Sequence, residues 1–223
     1  MDMLLKVKDY QATPAERDVK SVLDGILQTD WRQAFISRGF GWHFDIGAFS
    51  TPAAGGGATA VIDQDRPSGA ISVATGWTLI PLRIAIQAQP NVAQAPADEI
   101  EALIAVDRLA AVVGGTWTAE TPTNMKTSIT SGCPLLCQSI CSVACTNPTL
   151  GVELARQVKE CQEDTAVGNR WDGGLDLLYE PKFPHFIVGP AGLYVYVGGT
   201  AAITIFAQLD FLVVPSGLIA SLV

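Results

Sequence analysis

The alternation of apolar and polar residues is clearest in the last third of the chain. From residue 203 to residue 213 every second side chain is apolar, so these side chains share one face of a predicted β-strand. The opposite face mixes polar and apolar side chains: Thr204, Phe206, Gln208, Asp210, Leu212 and Val214. Since much of both faces is apolar, we expect both to be covered, one of them by another layer or another subunit.

Two further runs predict strands with equal clarity. Residues 193–197 alternate aliphatic and tyrosine side chains, and Gly189-Pro190-Ala191-Gly192 predicts a turn between this run and the Phe186 to Val188 run before it. Residues 77–89 form the longest alternating segment, in which Pro81 indicates an edge position or a bulge. Shorter patterns predict strands within residues 40–44, 98–113, 125–145, 150–161 and 173–180, with a helical turn at 98–100.

Helical signals are confined to the start of the chain. Thr13-Pro14-Ala15-Glu16 is a capping box with proline at the first helical position, and it predicts a helix over residues 14–27. A second short helix is expected from Thr29, carrying Trp31, Phe35 and Ile36. Because helices do not alternate regularly with the strands, the pattern argues against a parallel α/β sheet.

The predicted fold is therefore mainly β: an antiparallel β-sandwich of the jelly-roll type with a short N-terminal helix. Long loops between widely spaced strands favour a jelly roll over an immunoglobulin-like sandwich. We divide the chain into an N-terminal helical arm (1–38), the sandwich (39–215) and an apolar C-terminal tail (216–223).

Composition adds an expectation of self-association. Of the 223 residues, 48% are apolar and 16% are charged, whereas about 25% charged residues is typical. A chain with so little polar surface is best accommodated by burying part of that surface against copies of itself. The net charge of −8 and the lack of a basic arm argue against direct nucleic-acid binding. The start does not resemble a secretory signal, and no apolar run is long enough to span a membrane.

Four of the five cysteines are spaced by four residues: Cys133, Cys137, Cys141 and Cys145, with Cys161 apart. On one straight strand, neighbouring members would lie ~13 Å apart, too far for a shared metal or a direct disulfide. Buried apolar thiols, disulfides to other strands or subunits, and a metal site are the three interpretations. Because the number is odd, at least one thiol is free or pairs between molecules.

Residues for catalysis are sparse. The two histidines, His43 and His185, are each flanked by aromatic residues, which is typical of half-buried structural histidines. No Gly-x-Ser-x-Gly motif is present, so no serine nucleophile is indicated and we do not expect an enzyme. We also expect no cofactor and no resident metal. The loop carboxylates around Asp63 and Asp172 leave calcium binding open, without matching a known calcium loop.

The final strands, 186–197 and 206–211, resemble those of single jelly-roll capsid proteins of icosahedral viruses, mainly within residues 183–215. The resemblance implies a virion structural protein, assembled in the host cell, that packs into an icosahedral shell with copies of itself and other capsid proteins. Many such coats carry a basic arm for the genome, and this chain does not. We therefore expect no direct genome contact, and contact with an internal viral membrane or membrane protein is a further expectation.

On this hypothesis the inter-subunit contacts come from the helix, the last strand and the tail. The interface candidates are Val19, Leu23, Ile26, Phe206, Leu212, Val214, Leu218, Ile219 and Leu222. The alternative is an extracellular carbohydrate- or ligand-binding β-sandwich module that uses aromatic and carboxylate side chains from its loops.

Overall fold

The computed structural model of the chain describes residues 31–48, 51–54, 62–90, 98–146, 148–161, 163–164, 170–171, 174–199 and 203–220. The chain divides into two compact units, Met1–Ala34 and Phe35–Val223. The helix predicted over residues 14–27 lies outside the described residues. The short helix predicted from Thr29 is present as α1 (Trp31–Ser37).

The remaining elements are almost all strands. They are, in chain order, β1 (Gly41–Ile46), β2 (Ala53–Ala54), β3 (Gly69–Val73), β4 (Trp77–Pro90), β5 (Asp98–Asp107), β6 (Gly114–Glu120), β7 (Thr123–Asn124), β8 (Leu136–Cys145), β9 (Leu150–Cys161), β10 (Glu163–Asp164), β11 (Arg170–Trp171), β12 (Leu175–Tyr179), β13 (Ile187–Val188), β14 (Ala191–Gly199), β15 (Ile203–Pro215) and helix α2 (Ser216–Ala220). The prediction of a mainly β chain with a short helix is confirmed.

Two antiparallel sheets form a sandwich, which confirms the prediction of a mainly β antiparallel sandwich. Sheet 1 has the strand order β12-β4-β15-β1-β7, with β13 beside β4 and β2 beside β15. Sheet 2 has the order β6-β8-β3-β14-β5-β9, and β10 pairs with β11. Eight of these strands pair in a nested way: β1 with β15, β3 with β14, β4 with β12, and β5 with β9. Each pair therefore lies between the two strands of the pair named before it in the chain. In addition, β15 pairs with β4, and β14 pairs with β5.

Alternation along the strands places the core between the sheets. In β1 the side chains of Trp42, Phe44 and Ile46 are buried, whereas His43 and Asp45 lie on the outer face. The same alternation in the other strands builds one apolar cluster from both sheets. Its centre includes an edge-to-face contact between Phe44 and Phe211, whose ring centroids are 6.2 Å apart.

Strand β14 is buried on both faces. Its aliphatic side chains enter the core between the sheets, and Tyr194 and Tyr196 stack on each other on the outer face of sheet 2. Half-buried Ile62, Val112 and Trp117 cover the tyrosines. A second layer contributed by the chain itself therefore closes the middle of this face.

The outer face of β15 is covered in a similar way at its end. Leu212 and Val214 form a buried cluster with Ile80 and Leu82 of β4. The cover consists of half-buried side chains from α1, α2 and the segment after α1: Phe35, Ile36, Phe40, Leu218 and Ile219. The expectation that the last strand needs cover on both faces is thus met within the chain.

Some strand predictions need correction. Residues 98–100 are extended in β5 and form no helical turn, and residues 110–113 are not strand because β5 ends at Asp107. The strand expected within 125–145 begins only at Leu136. Of the two readings of Pro81, an edge position or a bulge, the bulge is confirmed: the register with β15 shifts between Asp210 and Phe211, which pair with Arg83 and Pro81.

The turn at residues 189–192 does not close a hairpin. Strand β13 before it pairs with β4 in sheet 1, whereas β14 after it belongs to sheet 2, so the chain crosses here from one sheet to the other. The crossing is tight: a Cβ on Gly189 would lie 2.1 Å from the carbonyl oxygen of Ala74. Only glycine fits so close to a neighbouring backbone.

Candidate functional site

The structure separates the predicted interface residues into three groups. Val19, Leu23, Ile26 and Leu222 lie outside the described residues. Phe206 is half-buried on the outer face of sheet 1, and Leu218 and Ile219 are half-buried in α2. Leu212 and Val214 are fully buried under the chain's own helices, which corrects their assignment as contacts to another subunit, because they have no surface to offer.

A different set of apolar side chains is exposed, in the segment between β12 and β14. Phe183 is 82% exposed, Phe186 54% and Val188 56%. We call these three residues the apolar ridge. An open groove of about 200 Å³ is lined by two of these residues, Phe186 and Val188. The rest of its lining is aliphatic except for Arg108 and His185: Val106, Arg108, Val152, Leu154, His185, Ile187 and Ala191. Phe186 and Val188 therefore belong to both the ridge and the groove.

Local structure holds the ridge outward. Strand β13 pairs with Thr78 and Leu79 of β4, which buries the side chain of Ile187 and directs its neighbours Phe186 and Val188 away from the core. His185 is exposed rather than half-buried as predicted, and its Nδ1 lies 3.3 Å from the Tyr179 hydroxyl. The segment that carries the ridge is therefore held by the pairing of β13 with β4 and by the contact between His185 and Tyr179.

The outer face of sheet 1 carries a polar cluster centred on His43. Its Nδ1 lies 2.6 Å from Oδ1 of Asp210, and its Nε2 lies 3.3 Å from Oδ1 of Asp45. Arg83 approaches the second oxygen of Asp210 at 3.8 Å and donates to Gln208 at 3.4 Å. Strands β1, β15 and β4 supply these residues, so the cluster joins three neighbouring strands.

The surroundings favour the charged form of His43. Burial by itself lowers the pKa of an imidazole, but the hydrogen bond to Asp210 and the negative charges of Asp45 and Asp210 outweigh it, and the pKa of His43 is raised. An imidazolium can donate from both ring nitrogens, whereas a neutral ring can donate from only one. The cluster is thus a pH-sensitive connection between strands.

The four cysteines do not lie on one straight strand, which was the condition for the predicted ~13 Å separation: Cys133 precedes β8, whereas the other three lie within it. The chain bends at residues 134–135, before β8, so that the half-buried Cys133 thiol interacts with the buried thiol of Cys137. Further along, Ile140 has a positive φ of 47°, which interrupts the regular strand. The thiols influence each other's pKa in two pairs, Cys133 with Cys137 and Cys141 with Cys145.

Cys141 and Cys145 form the second pair, next to Gly115 of β6. A Cβ on Gly115 would lie 3.0 Å from both the Cys141 Sγ and the Cys145 Cβ. Both thiols are buried, and desolvation raises the pKa of each, that of Cys145 to about 12. The interpretation as small buried side chains therefore holds for Cys137, Cys141 and Cys145, while the side chain of Cys161 lies outside the described residues.

Within the described residues, no group of three or more His, Cys, Asp and Glu side chains is arranged to hold a metal ion. In the same residues, no helix is both long and apolar enough to cross a membrane. Asp63, one of the carboxylates left open for calcium, accepts a hydrogen bond from the Asp65 amide and lies 3.8 Å from Arg66. Its carboxylate is thus already engaged within its own loop.

Comparison with known proteins gives no match among family models, curated proteins or solved structures.

The apolar ridge was not among the residues predicted from the sequence to form an interface. The sequence nevertheless contains a signal for it. The run Phe183-Pro184-His185-Phe186 places two aromatic side chains beside a proline, shortly before the glycine-proline turn at residues 189–190.

Proposed function

We propose that this chain is a jelly-roll coat subunit of a virion, which assembles with copies of itself into an icosahedral shell. The observation that carries the proposal is the exposed apolar ridge, together with the groove that Phe186 and Val188 line. Soluble monomers rarely expose large contiguous apolar patches, and such patches are typical of protein–protein contacts. A Phe side chain of one copy inserting into the groove of another would remove both surfaces from water.

The strand order supports the architecture assumed in this proposal. A jelly roll is a double-sheet sandwich of eight strands built from two Greek keys. The nested pairs β1·β15, β3·β14, β4·β12 and β5·β9 support this architecture. On this assignment β6 and β8 are an addition beside β3 at the edge of sheet 2.

Charge supports self-association without the genome. A net charge of −8 repels nucleic acid, so we propose that the partners are other coat subunits and, inside the virion, a membrane or membrane protein. Aspartate and glutamate outnumber lysine and arginine by 22 to 14, and apolar contacts have to overcome the resulting repulsion between copies.

The experiment compares Phe186→Asp with the wild-type chain by light scattering over a series of protein concentrations. Because interface anchors contribute about 2 kcal/mol or more, we expect the variant to need a concentration roughly 30-fold higher to assemble. Val143→Asp is the matched control, since Val143 is 56% exposed, close to the 54% of Phe186, but lies in β8 and not in the ridge. Equal assembly of the wild-type and Phe186→Asp proteins would remove the ridge from the proposal.

A further inference from the structure

We infer that the groove beside the apolar ridge is a binding site for a free aliphatic carboxylate. The alkyl chain would lie on the apolar wall of the groove, and the carboxylate would be held by Arg108, with His185 as a second donor. This inference goes beyond the proposed assembly and does not depend on it. Because the proposed contact between copies uses the same groove, a bound carboxylate would compete with assembly.

The lining of the groove matches a molecule with an apolar body and an anionic end. Seven of its nine lining residues are apolar, and the other two, Arg108 and His185, supply a guanidinium and an imidazole. None of the nine is acidic, although acidic residues outnumber lysine and arginine by 22 to 14 in the whole chain. Small-molecule sites are typically apolar clefts in which a few polar groups fix the ligand.

The charge of Arg108 lacks a counterion within the part of the chain that the structure describes, where none of the ion pairs includes this residue. The two nearest acids along the chain from lining residues are engaged elsewhere. Asp107 accepts hydrogen bonds from three backbone amides, and Glu153 accepts one from Arg156 at 3.1 Å. A carboxylate ligand would therefore supply the opposite charge that the groove itself does not contain.

The position of Arg108 is fixed by its neighbours. The buried Asp107 side chain accepts from the Leu109 amide at 2.8 Å and from the Thr149 amide at 2.8 Å, which ties the backbone on either side of Arg108 to the start of β9. The Arg108 side chain lies against Gly151, where an added Cβ would be 3.1 Å from its Nε. A donor that is already held in place loses less conformational freedom on binding than a mobile one.

His185 can provide a second hydrogen bond. Its Nδ1 lies 3.3 Å from the Tyr179 hydroxyl. When that hydroxyl donates to Nδ1, the ring proton is on Nε2, which is then a donor. The two oxygens of a carboxylate can accept from the guanidinium and from the imidazole at once, whereas an alcohol has one oxygen and no charge. The site should therefore prefer a carboxylate over an alcohol of the same chain length.

The experiment is equilibrium dialysis of the full chain against octanoate, hexanoate and 1-octanol, below the protein concentration at which large particles form. We expect one octanoate site per chain and a dissociation constant at least about tenfold lower than that of 1-octanol, because hydrogen bonds to charged groups are the stronger ones. Each methylene buried in the groove should tighten binding by up to about fourfold, so hexanoate should bind about tenfold more weakly than octanoate.

Two pairs of variants locate the site. Arg108→Gln should weaken octanoate binding about tenfold and leave 1-octanol binding unchanged, whereas Arg38→Gln, at an exposed arginine outside the groove, should change neither. Val188→Asp should abolish octanoate binding by placing a negative charge in the groove. Val143→Asp is its control, since both valines are 56% exposed and only Val188 lines the groove.

Absence of saturable octanoate binding to the wild-type chain would overturn the inference. So would equal affinity for octanoate and 1-octanol, or an Arg108→Gln protein that binds octanoate as the wild-type chain does. Since all of these measurements are made on unassembled protein, their outcome is separate from that of the assembly experiment. A chain that binds octanoate and never assembles would retain this inference and contradict only the coat-subunit proposal.

Discussion

At the residue scale, stability depends on a few large side chains between the sheets. Phe211 is 1% exposed, and its ring meets Phe44 of the neighbouring strand edge to face. Phe183 has the same side chain but lies in the ridge, largely in solvent. The same residue type therefore serves the core at one position and a surface at another.

This contrast gives the first prediction. Phe211→Ala should lower the free energy of unfolding by about 3–5 kcal/mol, because it removes a buried ring and leaves a cavity. Phe183→Ala, the matched control, should change it by less than about 0.5 kcal/mol. Urea denaturation of the monomeric protein at low concentration measures both values. Similar losses in the two variants would mean that Phe183 is packed rather than exposed.

Glycine 115 provides a second prediction at this scale. Its φ is +80°, and an added Cβ would meet the Trp117 ring nitrogen at 2.7 Å and the Cys141 sulfur at 3.0 Å. Gly115→Ala should cost about 1–3 kcal/mol through backbone strain and crowding. Gly132→Ala is the control, since nothing lies within 4 Å of its Cβ position. Thermal unfolding of the two variants should differ clearly, and equal melting temperatures would contradict the geometry around Gly115.

At the scale of elements, the pairing of β1 with β15 carries a titratable connection. His43 of β1 bonds Asp210 of β15, and its pKa in the folded chain is raised above the ordinary value of 6.5. The contribution is complete below the unfolded pKa and is lost as the pH rises through the folded pKa. The β1–β15 connection is thus stronger in mildly acidic solution.

The third prediction follows from this linkage. The stability difference between the wild-type chain and His43→Gln should be larger at about pH 5.5 than at about pH 8.5. In an Asp210→Asn background the pH dependence of that difference should shrink, because the main hydrogen-bond partner of the imidazolium is gone. Urea denaturation at both pH values provides the measurement. A difference that grows as the pH rises would reverse the sign of the linkage and reject it.

Elements were predictable from sequence where alternation alone determines them. The runs of β4, β9, β14 and β15 show apolar periodicity, and the strands appear where the pattern places them. The extended start of β5 was missed because its residues suit a helix locally, and pairing with β9 and β14 decides otherwise. A local sequence pattern carries no information about tertiary contacts, so the crossing between the sheets at Gly189 could not be predicted either.

The candidate sites were harder to predict for the same reason. The cysteine pairs depend on the bend at residues 134–135 and on the positive φ of Ile140, and neither is implied by spacing. Leu212 and Val214 were correctly identified as apolar residues on the second face of β15. Their cover by the chain's own helices depends on where α1 and α2 pack, which the strand pattern does not contain.

At the scale of the whole molecule, the coat-subunit proposal sets apolar attraction between copies against charge repulsion between them. Each copy carries a net charge of −8, and the apolar ridge and its groove offer surface for burial. Salt screens repulsion between exposed charges, with a Debye length of about 10 Å at 0.1 M, and leaves apolar contacts largely intact.

The fourth prediction is that salt promotes assembly. Raising sodium chloride from about 0.05 M to about 0.5 M should lower the protein concentration at which light scattering detects large particles. Val143→Asp adds a charge outside the ridge and should respond to salt in the same direction as the wild-type chain. Dissolution of the particles by salt would indicate that ion pairs between copies, rather than apolar contacts, hold them together.

The most direct test of the coat-subunit proposal is negative-stain microscopy of the full-length protein, with its mass measured by light scattering across a concentration series. The proposal predicts closed shells, regular sheets or capsomer-sized rings above a threshold concentration. A compact monomer or small oligomer that does not grow at any concentration would contradict it, and would favour a ligand-binding sandwich module instead.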